Sequence, residues 1–179
     1  MHQPKKMPEQ TQRKILETAI SLIADTGVNG VSLQAVAQQA GVTKGGLLHH
    51  FPNKTQLVKA CIEYALTKID EVIDDLIQED PVAYGCLTRA YLYITLNKTL
   101  DVAPCWNAFS MAMLTDKTFS NLWKVWFEAR LQQHKATDSA VELQVIRYAA
   151  DGLWLTQFID GQDQHDLKAY LIQKTYPMG

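Results

Sequence analysis

A chain of 179 residues is long enough for one full core, or for a small domain joined to a larger one. With 47% hydrophobic and 20% charged residues it has the composition of a soluble globular protein, and no apolar run approaches the roughly 18 residues that a membrane span requires. The net charge of −2 conceals a division: residues 1–60 hold seven basic and three acidic side chains, a net of +4, and the remainder a net of −6, so a basic head can approach phosphates while an acidic body resists lying flat on nucleic acid.

The opening stretch MHQPKKMPEQTQRK is polar and has no apolar signal core, so a cytoplasmic protein is expected. From about Glu9 onward helical periodicity dominates, which makes the fold class all-α, with about nine helices. The first helix is expected over 9–26, with Ile15, Leu16, Ala19, Ile20, Leu22 and Ile23 as its apolar stripe. Gly27 ends it, and Val28 and Val31 pin the following loop. Ser32 caps a second helix over 33–40, which turns Leu33, Val36, Ala37 and Ala40 inward. Gly41 makes a turn, Val42 plugs the small core, and Thr43 caps a third helix whose Leu47 and Phe51 share one face with Leu48 beside them. Pro52 stops that helix, and Asn53 to Gln56 resembles a capping box for a fourth helix that runs to Glu79. That helix, roughly 40 Å long at about 1.5 Å per residue, leaves the small core and enters the larger body, where it could serve as a lever. Its Asp70, Glu71, Asp74, Asp75, Glu79 and Asp80 read most simply as a solvated face. Beyond Asp80-Pro81, further helices are expected over 81–98, 102–114, 117–135, 138–160 and 164–175. Cys61, Cys86 and Cys105 have no CxxC spacing and read as buried free thiols.

The helix-turn-helix punctuation over 40–54 is how a protein presents one exposed helix to a DNA major groove. Lys44, Gly45 and Gly46 open that helix. Lys44 can donate to guanine O6 and N7, or less specifically to phosphate. The two glycines each weaken the helix by about 1 kcal/mol relative to alanine, and remove side chains where backbone comes close to DNA; the alternative is that they permit a tight helix start. His49 and His50, about 100° apart around the helix, cannot close on one metal, and no metal site or cofactor is expected.

The stretch from Ile15 to Leu57 resembles the DNA-binding head of the TetR (tetracycline-repressor-type) family. The likeness rests on Ala19, Gly27, Ser32-Leu-Gln-Ala-Val-Ala, Ala40-Gly-Val-Thr-Lys-Gly and His50-Phe-Pro-Asn-Lys54 leading into a long helix. The rest resembles the family in length, helical pattern and the run Ala149-Ala-Asp-Gly-Leu-Trp154. The resemblance implies a head over 1–54 and a ligand-binding and dimerisation body over 55–179. It also implies a homodimeric regulator, a repressor by family habit, that binds a palindromic operator and is released by a small lipophilic or aromatic effector. By family position His49 faces bases and His50 the phosphate backbone. Gln34 matches a position that reaches a base edge, Ser32 one that reaches phosphate, and Thr43, Gly45 and Gly46 flank Lys44 at the groove. Lys54 takes a phosphate with help from the dipole of its helix. The family's usual threonine-leucine-tyrosine is Gly46-Leu47-Leu48 here, so two phosphate-contacting side chains are missing; Lys5 and Lys6, with His49, His50 and Lys54, are expected to compensate.

The body is rich in aromatic and sulfur side chains, which build adaptable apolar pockets or plain core. Trp106, Phe109, Met113, Trp123, Trp126 and Phe127, with Tyr91, Trp154 and Phe158 on flanking helices, are the candidate effector contacts. Asn107, Asp151, Gln157 and Cys105 are candidates for polar specificity, and an acidic body with aromatics suits a planar or cationic lipophile. The helix over 138–160 is apolar on nearly every side. Together with Leu167, Tyr170, Leu171 and Ile172 it suggests a two-fold interface that sets two recognition helices roughly 34–36 Å apart; a fully internal helix in a monomer is the alternative. Two rival readings are a helical protein-binding adaptor and an enzyme. Against the enzyme, no nucleophile string, metal-spaced cluster or phosphate loop is present.

Overall fold

The computed structural model describes residues 6–97, 103–161 and 164–177, of which 6–8, 103, 104, 157, 158 and 160 are described by backbone alone. Among these residues there are ten helices and no strand. In chain order they are α1 (Lys6–Gly30), α2 (Leu33–Ala40), α3 (Lys44–His50), α4 (Lys54–Glu79), α5 (Cys86–Leu96), α6 (Ala103–Thr115), α7 (Lys117–Gln133), α8 (Lys135–Asp138), α9 (Val141–Asp160) and α10 (His165–Lys174). The all-α expectation holds, and the one helix beyond nine is the single turn α8.

Packing groups the helices into two compact units, Met1–Thr67 with Val102–Lys124, and Lys68–Asp101 with Val125–Gly179. In the first unit α1 packs on α2 and α6, and α2 on α3. Its core buries Ile15, Ala19 and Ile23 from α1, Val36 from α2, Leu47 from α3, Leu57 and Cys61 from α4, and Cys105 and Phe109 from α6. The apolar stripe of α1 is thus covered partly by the head and partly by a helix from far along the chain. Burial pushes the Cys61 thiol to about 12 and the Cys105 thiol to about 11, so both are neutral apolar fillers rather than reactive groups.

In the second unit α5 packs on α9, with α8 and α10 against it. Gly85 precedes α5 at φ +74°, and a Cβ there would stand 2.5 Å from the Thr175 carbonyl oxygen, so only glycine fits. A glycine offers no capping side chain. The carboxylate of Asp138, from α8, takes that role: it accepts the Leu87 N–H at 3.3 Å, the Thr88 N–H at 2.8 Å and the Thr88 hydroxyl at 2.7 Å. Arg147 on α9 lies 3.9 Å from Asp138 and donates to the Thr88 hydroxyl at 2.6 Å. Arg89 is a second buried hub. It pairs with Asp80 at 2.6 Å, donates to the carbonyls of Val82, Tyr84 and Thr175, and lies 4.4 Å from the Tyr176 ring centroid. Burial alone would raise the Asp80 carboxyl, but Arg89 and the Val82 N–H outweigh it and hold it below the usual carboxylate range.

Several boundaries differ from the sequence reading. α1 starts at Lys6 rather than Glu9; Gly27 interrupts it as expected, at φ 72°, ψ 166°, and a further short helical stretch runs on to Gly30. The helix expected over 81–98 is Cys86–Leu96, because residues 80–85 form the loop that Arg89 gathers. The helix expected over 138–160 begins at Val141 instead, and the single turn α8 before it ends where Asp138 turns inward. α4 runs from Lys54 to Glu79 as expected, but its acidic residues are not all solvated. Asp70 and Asp74 bind Arg130, and Asp80 binds Arg89. Leu33 and Val42, expected in the small core, are half-buried.

Candidate nucleic-acid interface and effector-binding residues

The helix-turn-helix is built from short-range hydrogen bonds that the sequence encodes directly. The Ser32 hydroxyl accepts the Ala35 N–H at 3.1 Å and caps α2. Gly41 takes a left-handed conformation (φ 67°, ψ 33°) and Val42 N–H returns to the Ala37 carbonyl at 3.0 Å, which closes the turn. The Thr43 hydroxyl accepts the Gly46 N–H at 3.0 Å and starts α3. In both caps the hydroxyl oxygen acts as acceptor, and its proton can still be donated to a phosphate. Leu47 and Phe51 are buried and anchor α3 from one side. The opposite side leaves Lys44, Gly45, Gly46 and His49 exposed and His50 half-buried, with the two imidazoles 5.6 Å apart edge to face. A Cβ on Gly45 would meet no atom within 4 Å, so the interior does not require that glycine; a Cβ on Gly46 would come 3.2 Å from the Thr43 hydroxyl oxygen.

Gln34 is exposed on α2. Lys54 is half-buried and donates its ammonium to the Asn29 carbonyl at 2.9 Å, so it ties α4 to the end of α1 as well as lying near the recognition helix in sequence. The Asn53 carboxamide oxygen accepts the Gln56 N–H at 2.9 Å and caps α4. A surface depression of about 470 Å³ is lined by His50, Asn53, Gln56 and Lys59 among others. Sequence reasoning missed Gln56 and Lys59. The available signal was their position in the first and second turns of a helix whose N-terminus attracts anions. Lys5 lies outside the described residues, and the side chain of Lys6 does too.

The candidate effector residues divide between the units. In the first, Trp106 and Trp123 are half-buried with ring centroids 5.6 Å apart, Met113 is half-buried, Asn107 is exposed, and Phe109 and Cys105 are fully enclosed core residues. In the second, Tyr91 is buried and donates its hydroxyl to Asp151 in a short hydrogen bond. Its ring centroid lies 5.1 Å from that of Phe127, and Trp126 stacks beside Phe127 at 6.2 Å. Trp126 donates its indole N–H to Asp70 at 2.9 Å. Trp154 is half-buried on α9. The side chains of Gln157 and Phe158 lie outside the described residues. Partial desolvation raises the Asp151 carboxyl above its usual range, against the pull of the Tyr91 hydroxyl; burial first and Asp151 second raise Tyr91. A separate cavity of about 560 Å³, which sequence reasoning did not find, runs along α5 between Arg89 and Asn97 and is walled by Leu76, Leu92, Leu96 and Ile172. Its lining comes from three distant segments, so no local pattern could announce it. Among the described residues no group of His, Cys, Asp or Glu is arranged to hold a metal ion, and no helix is long and apolar enough to cross a membrane.

The faces of α9 separate sharply. Leu143, Ile146, Arg147 and Ala150 are buried within the unit. Val141, Val145, Tyr148 and Ile159 are 62, 59, 63 and 74% exposed, and Leu167 and Tyr170 on α10 are exposed as well.

Residues 85–175 match the family model described as "Tetracyclin repressor-like, C-terminal domain", and residues 15–61 match the model described as "Bacterial regulatory proteins, tetR family". The chain is 25% identical over 183 residues to the HTH-type transcriptional regulator BetI of Vibrio parahaemolyticus, covering 95% of this chain and 92% of that protein. It is 31% identical over 98 residues to the HTH-type transcriptional regulator TtgR of Pseudomonas putida, covering 54% and 47%. Among solved structures it is similar to the multidrug binding protein EbrR complexed with imidazole (TM-score 0.75, 18% identity, 99% and 96% covered), a protein also solved with malachite green and with ethidium.

Proposed function

This chain belongs to the tetracycline-repressor-like family of bacterial regulatory proteins, and from that premise we propose that it is a homodimeric repressor that grips a palindromic operator through α3 and releases it when a lipophilic cation binds the body. That it is a DNA-binding, ligand-responsive transcriptional regulator follows from the family. The observation that carries the operator reading is the outward half of α3. Lys44 and Gly45 are exposed on a helix held from behind by Leu47 and Phe51, and the space over Gly45 is open. Lys44 reads a base edge, Ser32 and Thr43 supply hydroxyl donors to phosphate, and Gln34, His49, His50 and Lys54 flank them.

Two substitutions separate base reading from phosphate grip. Lys44→Ala is expected to cost about 1–3 kcal/mol at the preferred sequence and to relax base choice. Lys54→Ala is expected to weaken all sequences alike and to flatten the salt slope by about one unit. Titration at several salt concentrations, on the inverted repeat that the protein itself selects from random duplexes, reads both. Unchanged affinity in both variants refutes the assignment. Gly45→Ala gives a complementary result. Since nothing lies within 4 Å of the added methyl, the substitution should leave the melting temperature equal or raise it, by up to about 1 kcal/mol of helix propensity. Operator affinity should nevertheless fall, because the methyl stands where backbone approaches DNA. An unaltered operator titration would assign Gly45 to helix geometry alone.

The exposed apolar face of α9 and α10 supports a second copy of this chain as the dimer partner, since contiguous apolar surface of this kind marks an interface. A lipophilic cation as effector is supported by Asp151. Its partner among the described residues is the Tyr91 hydroxyl rather than a basic group, and the rings of Tyr91 and Phe127 lie beside that bond. The ethidium and malachite green complexes of EbrR fit the same class. The effector favours an arrangement of the body in which the two heads no longer match the operator, a shift of population rather than a new contact with DNA.

A further inference from the structure

We propose that the cavity along α5, walled by α4 and α10, is a binding site for a medium-chain carboxylate, separate from the Tyr91–Asp151 pair. The two places lie on different faces of α5. Thr88, Tyr91 and Thr95 recur at helical spacing on one face, where Thr88 binds Asp138, and Tyr91 binds Asp151 and Thr95. Arg89, Leu92, Tyr93 and Leu96 recur at the same spacing about a third of a turn away, and these line the cavity. α10 divides in the same manner. Lys168 and Ile172, four residues apart, line the cavity, while Leu167 and Tyr170 belong to the exposed apolar face. The whole lining comes from the second unit.

Size and lining select the ligand. A volume of about 560 Å³ falls within the roughly 300–1,000 Å³ of small-molecule sites. α5 rises about 12 Å from Arg89 to Asn97 at about 1.5 Å per residue, the length of a medium-chain acyl group. The walls are mainly aliphatic, from Leu76, Leu92, Leu96 and Ile172, which suits a flexible chain better than a stacked ring system. Three charged side chains reach the lining: Asp80, Arg89 and Lys168. The first two cancel, since the Asp80 carboxylate accepts Arg89 Nε at 2.6 Å and the Val82 N–H at 2.9 Å. Lys168 therefore sets the sign of the lining, two basic groups less one acidic, in a body that is otherwise acidic. Its Nζ donates to the Leu96 carbonyl at 3.3 Å, which places the ammonium at the C-terminal end of α5. The helix dipole contributes roughly half a negative charge there, so it offsets only part of the ammonium. An ammonium has three N–H donors, so the carbonyl does not exhaust it. A carboxylate beside Lys168, with its chain along Leu96 and Leu92 toward the neutral Asp80–Arg89 pair, matches both the charged end and the apolar length of the cavity.

Decanoate, kept below its micellar concentration, is the test ligand, and calorimetric titration of the full chain is the measurement. The parent should bind one decanoate per chain. Decanol, which has the chain without the charge, and acetate, which has the charge without the chain, should each bind at least about tenfold more weakly. Lys168→Gln should weaken decanoate by at least about tenfold and leave decanol unchanged, and Lys168→Arg should restore most of the loss. Ile172→Ser, at the exposed edge of the wall, should weaken decanoate and decanol together, and it tests the site independently of Lys168. Asp151→Asn should bind decanoate as the parent does. The proposal is overturned by a parent that binds no decanoate saturably, or by parental decanoate affinity in both Lys168→Gln and Ile172→Ser. Loss of decanoate binding in Asp151→Asn also overturns it, because the carboxylate would then sit on the opposite face of α5.

Discussion

Asp138→Ala is expected to destabilise the second unit by about 3–5 kcal/mol, the cost of removing one partner from a buried charged pair. Asp138 is 1% exposed, and its two oxygens serve two backbone N–H groups and the Thr88 and Thr137 hydroxyls. Alanine would orphan the first-turn N–H groups of α5, which Gly85 cannot cap, and would leave Arg147 buried without a counter-charge. Arg147 already has its pKa lowered by burial, a loss that Asp138 partly offsets, so removing Asp138 exposes it to the full desolvation penalty. Chemical denaturation at fixed protein concentration measures the loss, since the stability of the proposed dimer would depend on concentration. A loss below about 1 kcal/mol would show that Asp138 is an ordinary cap rather than the centre of the unit.

The paired substitution Val145→Glu with Tyr148→Glu is expected to abolish dimerisation and to cost operator affinity by a factor of about 10²–10⁴, the avidity gained when two modules are linked. Both residues are more than half exposed on α9, so the fold of the single chain should survive, and circular dichroism should be unchanged. Light scattering reports the mass, and operator titration reports the affinity. A monomer that binds the full palindrome as tightly as the parent would remove the two-fold reading of the α9–α10 face, and a variant that stays dimeric would move the interface elsewhere.

The head was almost wholly legible in the sequence because its determinants are local. Ser32, Gly41, Thr43 and Asn53 act on N–H or carbonyl groups within five residues of themselves, and each cap occurs where the residue type suggests it. The limits of α4 were legible for the same reason. The body was legible as helices but not as a network. Asp70 and Asp74 sit on a helix that looks solvated when read alone, and their partners Trp126 and Arg130 lie more than fifty residues away. The role of Asp138 as the cap of a helix fifty residues earlier carries no sequence signal, since only the fold brings the two together. The aromatic residues were identified as a cluster by proximity in sequence, but packing divides them: Trp106 and Trp123 belong to one unit, Trp126 and Phe127 to the other. Two residues of α7 thus separate a ring that pairs with α6 from one that reaches α4.

The placement of α6 against α1 has a consequence for anyone wishing to exchange recognition specificities among relatives. Grafting residues 1–54 onto a foreign body would transplant the reading surface but leave behind Cys105 and Phe109, which complete the core beneath it. Such a chimera would inherit whatever α6 its host supplies. Its success would depend less on the junction after Lys54 than on whether that borrowed helix fits the stripe of Ile15, Ala19 and Ile23.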